Sequence, residues 1–290
     1  MAIWRPLSHS MHALTIKTDL HSNLYPESTV PLGSAWCWGV PSFALSALFL
    51  LLALGDNVPL FYFLNRLMSH AGDGLWIHLS LLADGLLIIL FVLPFIGRRP
   101  DVVWQYILAT LLGGIFVQIM KESFSALRPP AVLNLDSFHL IGPALQNNAF
   151  PSGHTTAIFV LAGLVCLHRT PVWIKSAALL LAIFVGLSRI GMGVHWPQDV
   201  LAAAVGGWLI AIGAIWLSRY WRFGLNIRVQ RVFALILTPL AVWGVWTLWR
   251  DLDHVYPDTG LMKISLLVLC AGLSVPGQLR LYNIKRHNSD

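Results

Sequence analysis

Two histidines, an aspartate and three cations stand in three short stretches of the sequence: Lys121 to Pro129 (KESFSALRP), Pro151 to His154 (PSGH) and Ser188 to Asp199 (SRIGMGVHWPQD). His195 and Asp199 are four residues apart, so a carboxylate lies within reach of an imidazole. Such a carboxylate bonds one ring nitrogen, fixes the tautomer and leaves the other nitrogen free to attack. Lys121, Arg128 and Arg189 suit a dianion, arginine as a planar fork and lysine as a point charge. His154 follows Ser152, a helix-capping residue, and Gly153, which lets backbone come close to a ligand. Free amides at a helix start form an anion site, and His154 would project toward the anion as a proton donor. Alone, His154 reads as an interfacial histidine and the cations as snorkelling side chains. Together they describe a pocket for phosphate with an acid and a nucleophile. His-x3-Asp could instead be two metal ligands, but further carboxylates or histidines are lacking nearby and cations take their place. No metal is expected.

Written as K-x6-R-P, P-S-G-H and S-R-x5-H-x3-D, the three motifs in this order resemble the signature of the type 2 phosphatidic acid phosphatase (PAP2) superfamily. The resemblance spans roughly residues 56 to 218. It implies a six-helix core and a phosphohistidine mechanism that needs no cofactor. In it His195 is the nucleophile, Asp199 its orienting carboxylate and His154 the acid and later the base. Lys121, Arg128, Arg189 and the amides around Ser152 and Gly153 would bind the phosphate. Soluble vanadate-dependent haloperoxidases share the signature.

The elements that position these residues are apolar. Hydrophobic residues make up 57% of the 290 and charged ones 11%, and the mean hydropathy is +0.69, against about 25% charged in soluble domains. So few charges cannot cover a water-soluble fold, which excludes the haloperoxidase role and predicts an all-α polytopic membrane protein. Eight stretches approach the length of a membrane helix: 36–55, 74–96, 102–120, 153–168, 174–188, 198–218, 232–249 and 261–277. The last two exceed the six-helix core and carry no chemical signature. Residues 1–35 read as a polar cytoplasmic segment, 36–220 as the catalytic membrane domain and 221–290 as an extension with a short cytoplasmic tail. The first span reads as an uncleaved anchor. Residues 58–70 suggest a helix lying along the interface.

With the N-terminus in the cytoplasm, thirteen lysines and arginines fall inside and six outside, in line with the positive-inside bias. All three motifs then face the non-cytoplasmic side, which in a bacterial inner membrane is the periplasm. At the end of the third span, Lys121 and Arg128 are seven residues apart, so a continuing helix would place them on one face until Pro129 and Pro130 stop it. Cys37, Cys166 and Cys270 read as packing residues. Asp84, mid-span, is a functional candidate or a satisfied bundle carboxylate. Trp36, Trp38, Trp104, Trp173, Trp221 and Trp249 look like interfacial anchors. The loop 131–150 either selects the lipid or merely connects.

The net charge of +6 carries no basic stripe, so nucleic acid is not expected as a partner; the expected partners are membrane lipids and a lipid phosphate substrate. Candidates are phosphatidylglycerophosphate, phosphatidate and undecaprenyl pyrophosphate. A phosphotransferase would use the same phosphohistidine, so the motifs leave hydrolase and transferase both open. A transporter would place ionisable groups at the midplane rather than at one rim. The sequence leaves the oligomeric state open.

Overall fold

The computed structural model describes residues 29–252 and 259–283. Most of the polar segment 1–35, with Arg5 and Lys17, and the tail bearing Lys285 and Arg286 lie outside the described residues. What is described is helical. The one bridge between extended residues, Thr29 with His168, is isolated. In chain order the helices are α1 (Ala35–Leu54), α2 (Asn57–Ser69), α3 (Asp73–Leu81), α4 (Pro100–Phe124), the single turn α5 (Pro129–Val132), α6 (Gly153–Leu167), α7 (Val172–Gly191), α8 (Pro197–Tyr220), α9 (Ile227–Leu252) and α10 (Gly260–Asn283).

Six of the helical segments, those built on α1, α4, α7, α8, α9 and α10, are long and apolar enough to cross a membrane. The protein is a multi-pass membrane protein. Of the eight expected spans, two depart from a full-length helix. The stretch at 153–168 forms α6, which has only 15 residues. The stretch at 74–96 is broken: α3 stops at Leu81, and 3-10 turns follow at Leu87–Phe91 and Leu93–Phe95. The break has local causes. The Asp84 carboxylate accepts the Leu86 amide at 3.0 Å, drawing the backbone into a turn. Gly85 follows, and Pro94 lacks an amide to continue a helix. Asp84 is half-buried and does this turn-forming work. Irregular backbone at membrane depth is tolerated where protein covers it. Here Leu87, Ile88, Ile89, Leu90, Val92, Leu93 and Ile96 are all buried, with α9 and α10 packed on them. The closest approach joins Ile96 and Gly97 to Gly277, where a side chain on either glycine would run into the other strand of backbone.

α6 and α8 form the centre, with α7 against α6 and with α1 and α4 flanking α8. They approach closely because Gly207 faces α6: a Cβ there would lie 2.6 Å from the Thr156 carbonyl oxygen. Trp208 is fully buried at this contact and donates to the Cys37 carbonyl at 3.1 Å. Cys37, Cys166 and Cys270 are free and buried. Trp38, Trp173 and Trp221 are exposed near helix ends, as expected of anchors. Trp104 is not: it is buried, stacks on Phe233 and donates to the Trp221 carbonyl. The Trp249 side chain lies outside the described residues.

Candidate active site

α4 and α7 end, and α6 and α8 begin, at the same end of the bundle, and the three motifs meet there. Each junction has a sequence reason. Ser152 caps α6, its Oγ accepting the Thr155 amide at 3.4 Å and the Thr155 hydroxyl at 2.9 Å. Pro197 opens α8. Asp199, in the first turn of α8, reaches back so that its Oδ2 accepts the Trp196 amide at 2.9 Å. The glycine-bearing turn between α7 and His195 needs Gly193, whose φ is +77° and whose missing Cβ leaves room for the His139 carbonyl oxygen.

The first motif differs from its sequence expectation. Lys121 lies in the last turn of α4, but the helix ends at Phe124, with Ser125 left-handed at φ 42°. Arg128 is extended and precedes α5, so Lys121 and Arg128 do not share a helix face. A loop conformation delivers Arg128 instead. Its Nε donates to the Asn147 carbonyl (2.8 Å), Nη2 to the Asn148 carbonyl (3.3 Å) and Nη1 to the Val194 carbonyl (3.2 Å). The loop 131–150 thus does more than connect: two of its carbonyls aim the guanidinium. Trp196 ties the same junction by donating to the Leu127 carbonyl at 2.8 Å.

Arg128 Nη1 also lies 3.3 Å from His195 Nε2. A guanidinium can only donate, so Nε2 presents its lone pair and the ring proton sits on Nδ1. Nδ1 lies 3.3 Å from Asp199 Oδ2 and donates to it. Both residues are almost wholly buried, His195 at 2% exposure and Asp199 at 0%. Burial, then the charges of Arg128 and Arg189, and then those of His154 and Lys121, hold His195 well below the ordinary pKa of 6.5. The imidazole is therefore neutral at rest. The same charges show how closely the sequence-selected residues gather round it.

Arg189, in the last turn of α7, is buried and donates from Nη1 to Ser80 Oγ of α3. His154 is half-buried in the first turn of α6. The Ser152 amide donates to the Asp199 carbonyl at 3.2 Å, which locks the second motif to the third. Ser152 therefore serves as a cap and a tie, and the amides of Gly153 and His154 are the donors left at this helix start. Sequence reasoning overlooked Ser80 and Asn65. Asn65 lies on the buried face of α2 with Phe61 and Met68, a four-and-seven spacing that was readable. Among the described residues no three His, Cys, Asp or Glu side chains are grouped as a metal would need.

Comparison with known proteins identifies the family. The family model for the PAP2 superfamily matches residues 102–224. The undecaprenyl-diphosphatase of Sulfolobus acidocaldarius is 31% identical over 172 residues, which cover 57% of this chain and 78% of that protein. The chain belongs to the PAP2 superfamily. A lipid A 1-phosphatase of Porphyromonas gingivalis is 38% identical over 111 residues, 37% of this chain and 22% of the relative. Among solved structures, the crystal structure of Aquifex aeolicus LpxE matches with a TM-score of 0.51 and 31% identity, covering 55% of this chain and 94% of that one. With its PAP2 relatives, this membrane protein is a phosphatase, a phosphoric ester hydrolase.

Proposed function

We propose that the protein hydrolyses a lipid phosphate or lipid diphosphate through a covalent phosphohistidine on His195. The observation that carries this is the ring orientation. Arg128 at Nε2 and Asp199 at Nδ1 leave the nucleophilic lone pair beside a phosphate-binding cation. In the first step the Nε2 lone pair forms an N–P bond in line with the departing oxygen. The P–O bond breaks, and His154, protonated once the bound phosphate dianion offsets the surrounding cations, gives its proton to the leaving alcohol or phosphate. Asp199 stabilises the charge gained by the imidazole. In the second step His154 takes a proton from water, whose oxygen attacks phosphorus. The N–P bond breaks, its electron pair returns to Nε2, and inorganic phosphate departs. Lys121, Arg128, Arg189 and the amides of Gly153 and His154 balance the charge on the equatorial oxygens.

The undecaprenyl-diphosphatase and lipid A phosphatase relatives direct the choice of lipid toward carriers and glycolipids with terminal phosphate groups. Phosphatidylglycerophosphate and phosphatidate stay on the panel to be tried. The charge bias directs the site to the non-cytoplasmic face, the periplasmic one in a bacterial inner membrane, where it meets outer-leaflet lipids. Residues 36–220 form the catalytic domain in this reading, and 221–290 an extension that shields the broken span. The test is release of inorganic phosphate by the purified protein from a panel of lipid mono- and diphosphates, with His195→Ala as control. Phosphate release by wild type alone is expected. Equal release by both proteins, or transfer of the phosphoryl group to a second lipid with none released, would refute the proposal.

A further inference from the structure

The turn that carries His195 is closed partly on itself and partly by groups brought from other segments. The carbonyl of Ser188 accepts the Met192 amide at 2.8 Å, and that of Arg189 accepts the amides of Val194 and His195, each at 3.2 Å. The Ile190 carbonyl accepts the Gly193 amide at 2.9 Å, and the Met192 carbonyl accepts the Ile141 amide at 3.0 Å. Gly191 ends α7, where a carbonyl has no partner within the helix. Asn65 of α2 supplies it. Its Nδ2 donates to the carbonyls of Gly191 (3.1 Å), Ile190 (3.1 Å) and His139 (2.8 Å), and its Oδ1 accepts the His139 amide at 2.8 Å. The side chain is 1% exposed.

We infer that Asn65 is a positioning residue for the phosphoryl-transfer step. It pins two things to one point: the end of α7, which holds Arg189 and suspends the His195 backbone, and the 131–150 loop, whose Asn147 and Asn148 carbonyls aim Arg128. Three carbonyls facing Nδ2 and one amide facing Oδ1 admit a carboxamide in one orientation. A carboxylate of the same shape has no proton to offer those three oxygens and would repel them. The role is geometric, because Asn65 bonds neither His154 nor His195. It rests on the proposed nucleophilic role of His195.

A displacement of about 1 Å in a reacting group lowers a rate by about 100-fold. Asn65→Asp, which keeps the volume, is therefore expected to lower kcat by about 100-fold while KM for the lipid phosphate changes by less than about threefold. Inhibition by vanadate, which imitates the five-coordinate phosphorus, should weaken in parallel with kcat. Asn65→Ser, which keeps one hydroxyl donor, should fall between Asn65→Asp and wild type in both respects. A merely structural residue would reduce the amount of folded protein and leave kcat and vanadate inhibition of the folded fraction unchanged. That result, or failure of both variants to accumulate in the membrane, would overturn the inference. An active His195→Ala control would instead defeat the nucleophile assignment on which it rests.

Discussion

The two ends of α6 each carry a histidine with an aspartate nearby, and only one of the pairs is built for chemistry. At the first end His195, beside the start of α6, turns Nδ1 to Asp199 and leaves Nε2 open toward Arg128. At the other end, about 20 Å away for a helix of this length, buried His168 donates Nδ1–H to the Leu164 carbonyl at 2.8 Å. Its Nε2 then lies 3.8 Å from Asp101, whose carboxylate is gripped by the Arg99 fork at 2.7 and 3.0 Å. At this end the carboxylate serves an arginine and the imidazole caps its own helix. At the first end the carboxylate serves the imidazole and a backbone amide. Residue type is shared, and the partner that the Nδ1 proton meets separates the proposed nucleophile from a helix cap.

Removing His195 should break the comparison most sharply. His195→Ala is expected to abolish phosphate release with normal membrane accumulation, because the ring lies at the rim of the bundle rather than in its centre. Next in size is the carboxylate. Asp199→Asn can present its amide to Nδ1 and favour the wrong tautomer, and kcat should fall by about 10³–10⁴-fold, the scale on which such a substitution acts in other histidine–aspartate pairs. Asp101→Asn should leave kcat within about twofold of wild type. Both rates come from the same phosphate-release assay, and comparable losses in the two variants would erase the distinction.

The pH profile offers a finer test. In the proposed mechanism His195 must be neutral to attack, and it is neutral above a pKa held well below 6.5 by burial and by the surrounding cations. The acid limb of the rate should therefore stand below pH 6.5 and be lost only as the pH falls through that depressed value. Arg189→Gln removes one of those cations, so it should move the limb upward. Comparing the two proteins on one substrate cancels the substrate's own ionisation. A limb that stays in place would mean that the cations do not act through His195. The smallest effect belongs to the His168 end of α6. His168→Gln should leave kcat unchanged and lower stability by about 1–2 kcal/mol, the scale of one buried hydrogen bond, measured by thermal unfolding in detergent.

Much of the site was legible because its residues sit at helix ends that the sequence marks plainly: Ser152 as a cap, Pro197 at a first turn, Gly193 in a tight turn. The helical class was legible from apolar runs alone. What escaped depended on competition between local and distant contacts. Nothing between Lys121 and Arg128 announces that Ser125 turns left-handed, and the turn becomes intelligible only when Asn147, Asn148 and Val194 are seen to receive the guanidinium. The broken second span had visible breakers in Asp84, Gly85 and Pro94, but its high hydropathy masked them. The spacing of Asn65 with Phe61 and Met68 was readable but its role was hidden by context, since a lone asparagine has no partner until α7 and the 131–150 loop arrive beside it.

The covalent role of His195 is tested most directly by trapping the intermediate. The protein would be mixed with a lipid phosphate radiolabelled in its terminal phosphoryl group, quenched in alkaline denaturant during turnover, and digested to locate the label. Label is expected on the peptide containing His195, labile to acid, stable to alkali and lost in His195→Ala. Label on another residue, or rapid turnover with no labelled protein at any quench time, would contradict it.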